Sequence, residues 1–402
     1  MMPHETETLR RIPEDLIYDY DFVHDAGLID DPFERMKSLH REAPPLFYSP
    51  RYGGHWVVTS RAMLQEIAFN HEDFSAANLM LPPAETGPVL IPATFDPPLH
   101  GAYRAPLNKH FFPKAIAQHE TFIRKTVIGL TSALAGKADC DFLHEIAEPY
   151  PPTIFFRLLG VPLDHLRQFR ELAQTFMGAA DASARTDAYV QIGEIVSATV
   201  VQRIAEPRDD LISVLATTDF GGRRLTPEEL VNYATVLFIG GLDTVVNATC
   251  FAVRHLARDQ ALQHELRTAP SAIGDAVDEF LRMYAIATPM RTATRDMTFR
   301  GADILKGDQF VLMIAAMNYD PDAFAEPDLF LPGRSERHVA FNVGVHRCIG
   351  LNLAKLELRV FLEEWLRRTP PFKLDPEYPP EFAGGFSITA VSLKLQFDGV
   401  VQ

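Results

Sequence analysis

The chain has 402 residues, 47% of them hydrophobic, ample for a large buried core. Its formal charge of −15, from 38 basic and 53 acidic side chains, argues against nucleic acid as a partner. Three cysteines, Cys140, Cys250 and Cys348, are too few and too odd a number for a disulfide framework, and they fit a reducing cytoplasm.

Met1 to Glu14 is polar and lacks the apolar core of a signal peptide. No Ser/Gly-rich linker, low-complexity tract or repeat divides the chain, so one domain over 1–402 is expected. A helical pattern surrounds Phe33–Leu39. Gly53 to Thr59 reads as a turn into a short strand, and a helix is predicted over Arg61–Phe69. Residues 78–98 are proline-rich and apolar, as suits a lid or pocket wall. Asp96-Pro-Pro-Leu-His100 opens a helix on which His100 and Arg104 share one face. Helices dominate from 115 to 215, and Gly221-Gly222 marks a turn.

The longest predicted helix follows. Thr226 is its N-cap, Pro227 suits the first position and Glu229 completes a capping box. The pattern runs to about Ala257, roughly thirty residues or about 45 Å, apolar on most sides. Its run Val231–Val253 is membrane-like, but Asp243, Asn247 and the glycines favour a buried helix, so no membrane span is expected. Gly240-Gly-Leu-Asp-Thr244 sets two weak helix formers beside an acid and an alcohol. That pair suits proton delivery; the plainer alternative is a Thr244 back-bond to Gly240 with Asp243 in a buried ion pair. A helix holding Glu279 to Arg282, strands at Met297–Phe299 and Gln309–Ile314, a proline-rich meander and a hairpin over Phe386–Phe397 complete the chain. The expected fold is mainly α with a small β portion.

Near the C-terminus, Phe341-Asn-Val-Gly-Val-His-Arg-Cys-Ile-Gly350 leads into an amphipathic helix that begins at Leu351 and stops before Pro370. A cysteine beside a helix is usually a small buried hydrophobe. Here Cys348 lies where free backbone N–H groups favour a thiolate, and Gly344 and Gly350 let a large flat group approach, which suits an axial haem ligand.

The run Phe-x-x-Gly-x-His-x-Cys-x-Gly resembles the haem-binding loop of the cytochrome P-450 family. Val236 to Asn247 resembles the distal helix of the bacterial camphor hydroxylase branch, and the resemblance extends from about Tyr18 to Phe397. It implies the P-450 fold, a triangular prism with a long central helix over haem b (heme b, iron protoporphyrin IX). It implies that Cys348 ligates iron, that Asp243 and Thr244 manage protons, and that His100, Arg104, Arg291 and His346 hold the propionates. Glu279, Arg282 and Arg334 become a structural set. A pocket of Met80, Leu81, Leu90, Val236, Ile239, Gly240, Ala287 and Phe386 is implied, for a small apolar terpenoid or norisoprenoid. The family's pocket tyrosine falls near Pro88, and an aspartate two residues before Arg291 is Pro289, which puts camphor itself in doubt. The implied activity is hydroxylation with dioxygen in the cytoplasm. Electrons come from a [2Fe-2S] ferredoxin, itself reduced by a NADH-dependent ferredoxin reductase, docking near Arg104, Lys109, Lys114, Arg337, Arg347 and Lys355. A peroxide-driven peroxygenase and a non-catalytic haem sensor or carrier are the alternatives. The acid–alcohol pair speaks against the first; the second lacks a visible output domain.

Overall fold

A computed structural model of the protein describes residues 12–78, 81, 89–178 and 181–402. The architecture is mainly α, about 52% helical, with small sheets. The helices that build or back the site are α1 (Leu99–Asn108), α2 (Ala182–Ala205), α3 (Pro227–Leu242), α4 (Thr244–Arg258), α5 (Ile273–Met283) and α6 (Leu351–Arg368), with α2 packed on α3. The main sheet has five strands: β1 (Leu46–Ser49), β2 (His55–Val58), β3 (Phe74–Ser75), β4 (Met290–Ala293) and β5 (Gln309–Leu312). Their order is β1-β2-β5-β4-β3. The β2–β5 pair is parallel, with Trp56 opposite Phe310, and the other pairs are antiparallel. Every residue of β2 and β5 is buried, as their mostly apolar runs favour. In β4, Arg291 faces Phe310 across the ladder and is thereby fixed beside the core.

The predicted thirty-residue helix is two helices in line. The capping box forms as expected: Thr226 Oγ1 accepts from Glu229 N, and Glu229 accepts from Thr226 N. The interruption falls at Asp243, whose backbone remains near helical values. Its causes are local. Two glycines precede it, each costing about 1 kcal/mol against alanine in a helix. At Gly241 a Cβ would lie 2.5 Å from the Phe155 ring, so only glycine admits that ring. By composition, 227–258 is long and apolar enough to cross a membrane, but 72% of its apolar window is buried within the fold.

The proposed hairpin over Phe386–Phe397 is not one. Thr389–Ser392 pairs with Glu381–Ala383, whereas Lys394–Phe397 pairs with Asp139–Asp141 and Phe372–Leu374. Consecutive strands thus enter different sheets. Likewise β5 ends at Leu312, and Ile314 starts a short helix to Met317.

Glu279 lies on α5 with 3% exposure, a position that demands full pairing of its charge. Arg282 gives it two hydrogen bonds of 2.9 Å, and Arg334 Nε a third of 2.9 Å. Arg282 also binds Asn318 O at 2.8 Å, and both arginines reach Leu329 O at 3.0 Å. The set pins the meander to α5, as the family resemblance implied.

Candidate functional site

A cavity of about 430 Å³ lies between α1, α3, α4, the 284–291 segment and the loop that leads into α6. Cys348 stands on its wall. The loop is shaped for that purpose. Gly344 has φ +72°, and a Cβ there would meet Ala68 O at 2.6 Å, so glycine is required twice over. Cys348 N donates to Phe341 O at 2.8 Å, which closes the loop. The thiol is exposed to the cavity. Burial within the fold raises its pKa, while hydrogen bonds from Gly350 and Leu351 N–H and the charges of Arg104 and Arg347 pull it down.

His100 and Arg104 of α1, Arg291 of β4 and His346 of the Cys348 loop all reach this one cavity. The rings of His100 and His346 lie 4.2 Å apart. Nε2 of each histidine and Nη2 of Arg291 are buried with no hydrogen-bond partner. Arg291 Nη1 donates to Met290 O at 2.6 Å, and Arg104 donates to Arg347 O. Burial, then Arg104, lowers the His100 pKa to about 4; burial, then Arg291, lowers His346 to about 3. Burial also brings Arg291 down to about 10. Three buried donors without acceptors at one end of an apolar cavity call for an anionic ligand with several oxygens.

Across the cavity stands the break between α3 and α4. Thr244 lines the wall, and its Oγ1 donates to Gly240 O at 3.0 Å. That is the back-bond of the plainer alternative, and it leaves the hydroxyl oxygen able to accept. Gly240 has open space where a side chain would stand. Asp243 is buried and off the wall; its carboxylate accepts from Asn247 Nδ2 at 2.6 Å. Asn247 Oδ1 in turn accepts from Ala390 N at 2.9 Å.

Of the implied pocket residues, Val236, Gly240 and Ala287 line the cavity. Leu81, Leu90 and Ile239 are buried but outside its wall. Phe386 is turned away against Phe22, under the Arg185 guanidinium. Position-by-position transfer failed there because a loop residue's facing depends on packing that its alignment does not record. Met80 and Pro88 lie outside the described residues. Pro289 does line the cavity. Sequence reasoning missed Phe155, Tyr233, Tyr284 and Glu357, all on the wall. Glu357 had a signal, since an acid there interrupts the apolar stripe Ala354, Leu358, Phe361. Its Oε2 is buried without a partner, and burial holds its pKa well above the usual carboxylate value.

The family model for "Cytochrome P450" matches residues 151–396. The chain belongs to the cytochrome P450 family. It is 31% identical to "Probable cytochrome P450 127A1" of Sinorhizobium fredii, over 90% of each chain. It is also 31% identical to a "Steroid C26-monooxygenase" of Mycobacterium tuberculosis, over 75% of this chain and 83% of that one. The crystal structure of CYP101J2 superposes with a TM-score of 0.88 at 31% identity, covering 96% of this chain and 98% of the other. The protein is therefore a bacterial-type P450 monooxygenase near the camphor hydroxylase branch. P450s bind haem through a cysteine thiolate. The residues present fit that group: a lone cysteine on the wall of a mostly apolar cavity, and partnerless buried nitrogens able to meet carboxylates.

Proposed function

We propose that this P450 hydroxylates a small apolar molecule of terpenoid or norisoprenoid type, with dioxygen and electrons from a [2Fe-2S] ferredoxin served by a NADH-dependent reductase. The observation that carries the substrate class is the wall opposite Cys348. Val236, Leu237, Gly240, Val245, Ile286 and Ala287 are all without polar side-chain groups. The two hydroxyls nearby are already engaged, Thr244 with Gly240 O and Tyr233 with Tyr103 O at 2.7 Å. A substrate is then held by shape and burial, at about 25 cal/mol per Å² of apolar surface.

Cys348 is the iron ligand in this reading. Haem, once bound, supplies the dioxygen chemistry. His100, His346, Arg291 and Arg104 hold its propionates and fix its orientation. Thr244 offers a lone pair to the molecule that brings the proton. Asp243, steadied by Asn247, passes protons inward from behind the wall. On the Cys348 side, Lys109, Lys114, Arg337 and Arg347 are exposed. They form the surface for an acidic ferredoxin. Arg104 is turned into the cavity, and Lys355 is held by Asp278 at 2.5 Å, so both contribute less to docking. The sparse, odd cysteine set supports a cytoplasmic enzyme.

Titration with a panel of terpenoids and ionone-like ketones tests this reading. A low-spin to high-spin shift, followed by a hydroxylated product that requires ferredoxin and NADH, is the expected result. Absence of any shift across the panel would remove the substrate assignment. Cys348→Ala must abolish the thiolate-type Soret band of the carbon monoxide complex; its survival would remove the ligand assignment.

A further inference from the structure

Tyr284 is the last side chain of the Glu279–Arg282 region to reach the cavity, and it stands on the wall that also carries Cys348. Its hydroxyl lies 2.5 Å from Nδ1 of His255, three turns along α4 from Thr244. The phenol ring is caged by Phe33, 4.8 Å away edge-on, and by Phe251, 6.2 Å away and nearly parallel. The imidazole packs on Phe330 at 4.6 Å and Phe280 at 5.5 Å. A second tyrosine lines the cavity, Tyr233, and it differs in one respect. Its hydroxyl donates to a backbone carbonyl, which cannot take up a proton. Tyr284 faces an imidazole nitrogen, which accepts its proton when the His255 hydrogen is on Nε2.

We propose that Tyr284 and His255 form a proton-coupled one-electron donor on the haem cavity, able to quench oxidising equivalents that no substrate consumes. The proposal rests on the haem-thiolate reading. In the step, one electron leaves Tyr284 for the over-oxidised haem group, the phenolic O–H bond breaks, and the proton passes to Nδ1 of His255. The products are a neutral tyrosyl radical and an imidazolium, with the haem group reduced by one electron. A ferredoxin-class one-electron donor, which the monooxygenase cycle already uses, returns the electron, and the proton moves back.

The surroundings favour each part. Losing an electron makes a phenol a strong acid, so the proton must have an acceptor in place. Burial lowers the His255 pKa to about 4, so the imidazole is neutral and ready at neutral pH. The carboxylates of Asp259 and Glu279 favour the imidazolium, and Arg254 and Arg258 oppose it. His255 Nε2 is buried and has no partner, so no competing hydrogen bond fixes the ring in another role. The aromatic cage leaves little to reorganise. For the other Tyr284 protonation change, simple ionisation, burial raises the pKa well above the ordinary value and disfavours it. Electron loss with proton transfer is the route left open.

The test uses haem-loaded protein whose thiolate ligation has first been verified from the carbon monoxide spectrum, so that failure of the haem reading is seen separately. Substrate-free protein is mixed with a peracid, frozen and examined by electron paramagnetic resonance. A tyrosyl signal is expected. Tyr284→Phe, which keeps the ring in its cage, should lose most of it; Tyr233→Phe should retain it. His255→Phe, which keeps the stack on Phe330 but removes the base, should lower the radical yield with Tyr284 still present. Haem bleaching under excess oxidant should be faster in Tyr284→Phe than in the parent, with thermal unfolding checked in parallel. No radical in the parent, or an undiminished signal in Tyr284→Phe, overturns the proposal. An unchanged yield in His255→Phe overturns the role of the base.

Discussion

At the scale of single residues, the site depends on atoms that lack partners. His100 Nε2, His346 Nε2 and Arg291 Nη2 are buried donors without acceptors. Each such atom costs about 1–3 kcal/mol until a ligand satisfies it. Replacing His100 and His346 together by Phe should therefore have opposite effects on two measurements. The haem-free protein should melt at a higher temperature, while haem should dissociate faster. A lower melting temperature of the haem-free protein would show the histidines to be structural. Thr244 makes a second case. Its hydroxyl is engaged as a donor and remains an acceptor, so Thr244→Ala should leave folding intact but divert reducing equivalents to hydrogen peroxide. The ratio of product to NADH consumed reads this directly, and an unchanged ratio would remove Thr244 from proton management. Gly344→Ala adds a Cβ against a backbone oxygen at positive φ, a strain of about 1–3 kcal/mol. Loss of haem retention is expected before loss of global fold, as measured by the Soret absorbance against far-ultraviolet dichroism.

At the scale of elements, the Glu279–Arg282–Arg334 set decides how α5 carries the meander. Despite burial, hydrogen bonds from Arg282, Leu331 N and Arg334 hold the Glu279 pKa below its usual value. A depressed carboxylate stabilises fully above the unfolded value of about 4.3 and loses that contribution as pH falls through its folded value. Glu279→Gln should cost about 3–5 kcal/mol at pH 7, because it leaves two buried guanidinium groups unpaired. It should also flatten the acid limb of the stability curve; an unchanged limb would assign acid lability elsewhere. This set was legible in the sequence only through the family resemblance, which matches Glu279, Arg282 and Arg334 by motif. The Cys348 loop was legible for a similar reason, its fixed residues lying within ten positions of one another. The break at Asp243 was not. It depends on Phe155 pressing on Gly241 and on Asn247 bridging Asp243 to Ala390, contacts made across more than eighty residues in each direction. The strands after Phe386 were misread because alternation marks a strand but not its partner.

At the scale of the whole molecule, the family and its mainly α architecture could be read from the chain, and the shape of the pocket could not. The resemblance pointed to eight lining residues, of which Val236, Gly240 and Ala287 stand on the wall. Facing is a property of packed layers, and a single sequence specifies layers only through the periodicity of its helices. The cavity's polarity has one further consequence, outside catalysis. The partnerless nitrogens of His100, His346 and Arg291 share this cavity with the cysteine. In the proposed reading haem would have one favoured way in, carboxylates toward His100 and His346. A ligand that binds only the folded chain stabilises it by about 2.7 kcal/mol at a hundred times its dissociation constant. The folded fraction then follows haem supply, and a cell short of iron would clear this enzyme by proteolysis without any change in its transcription.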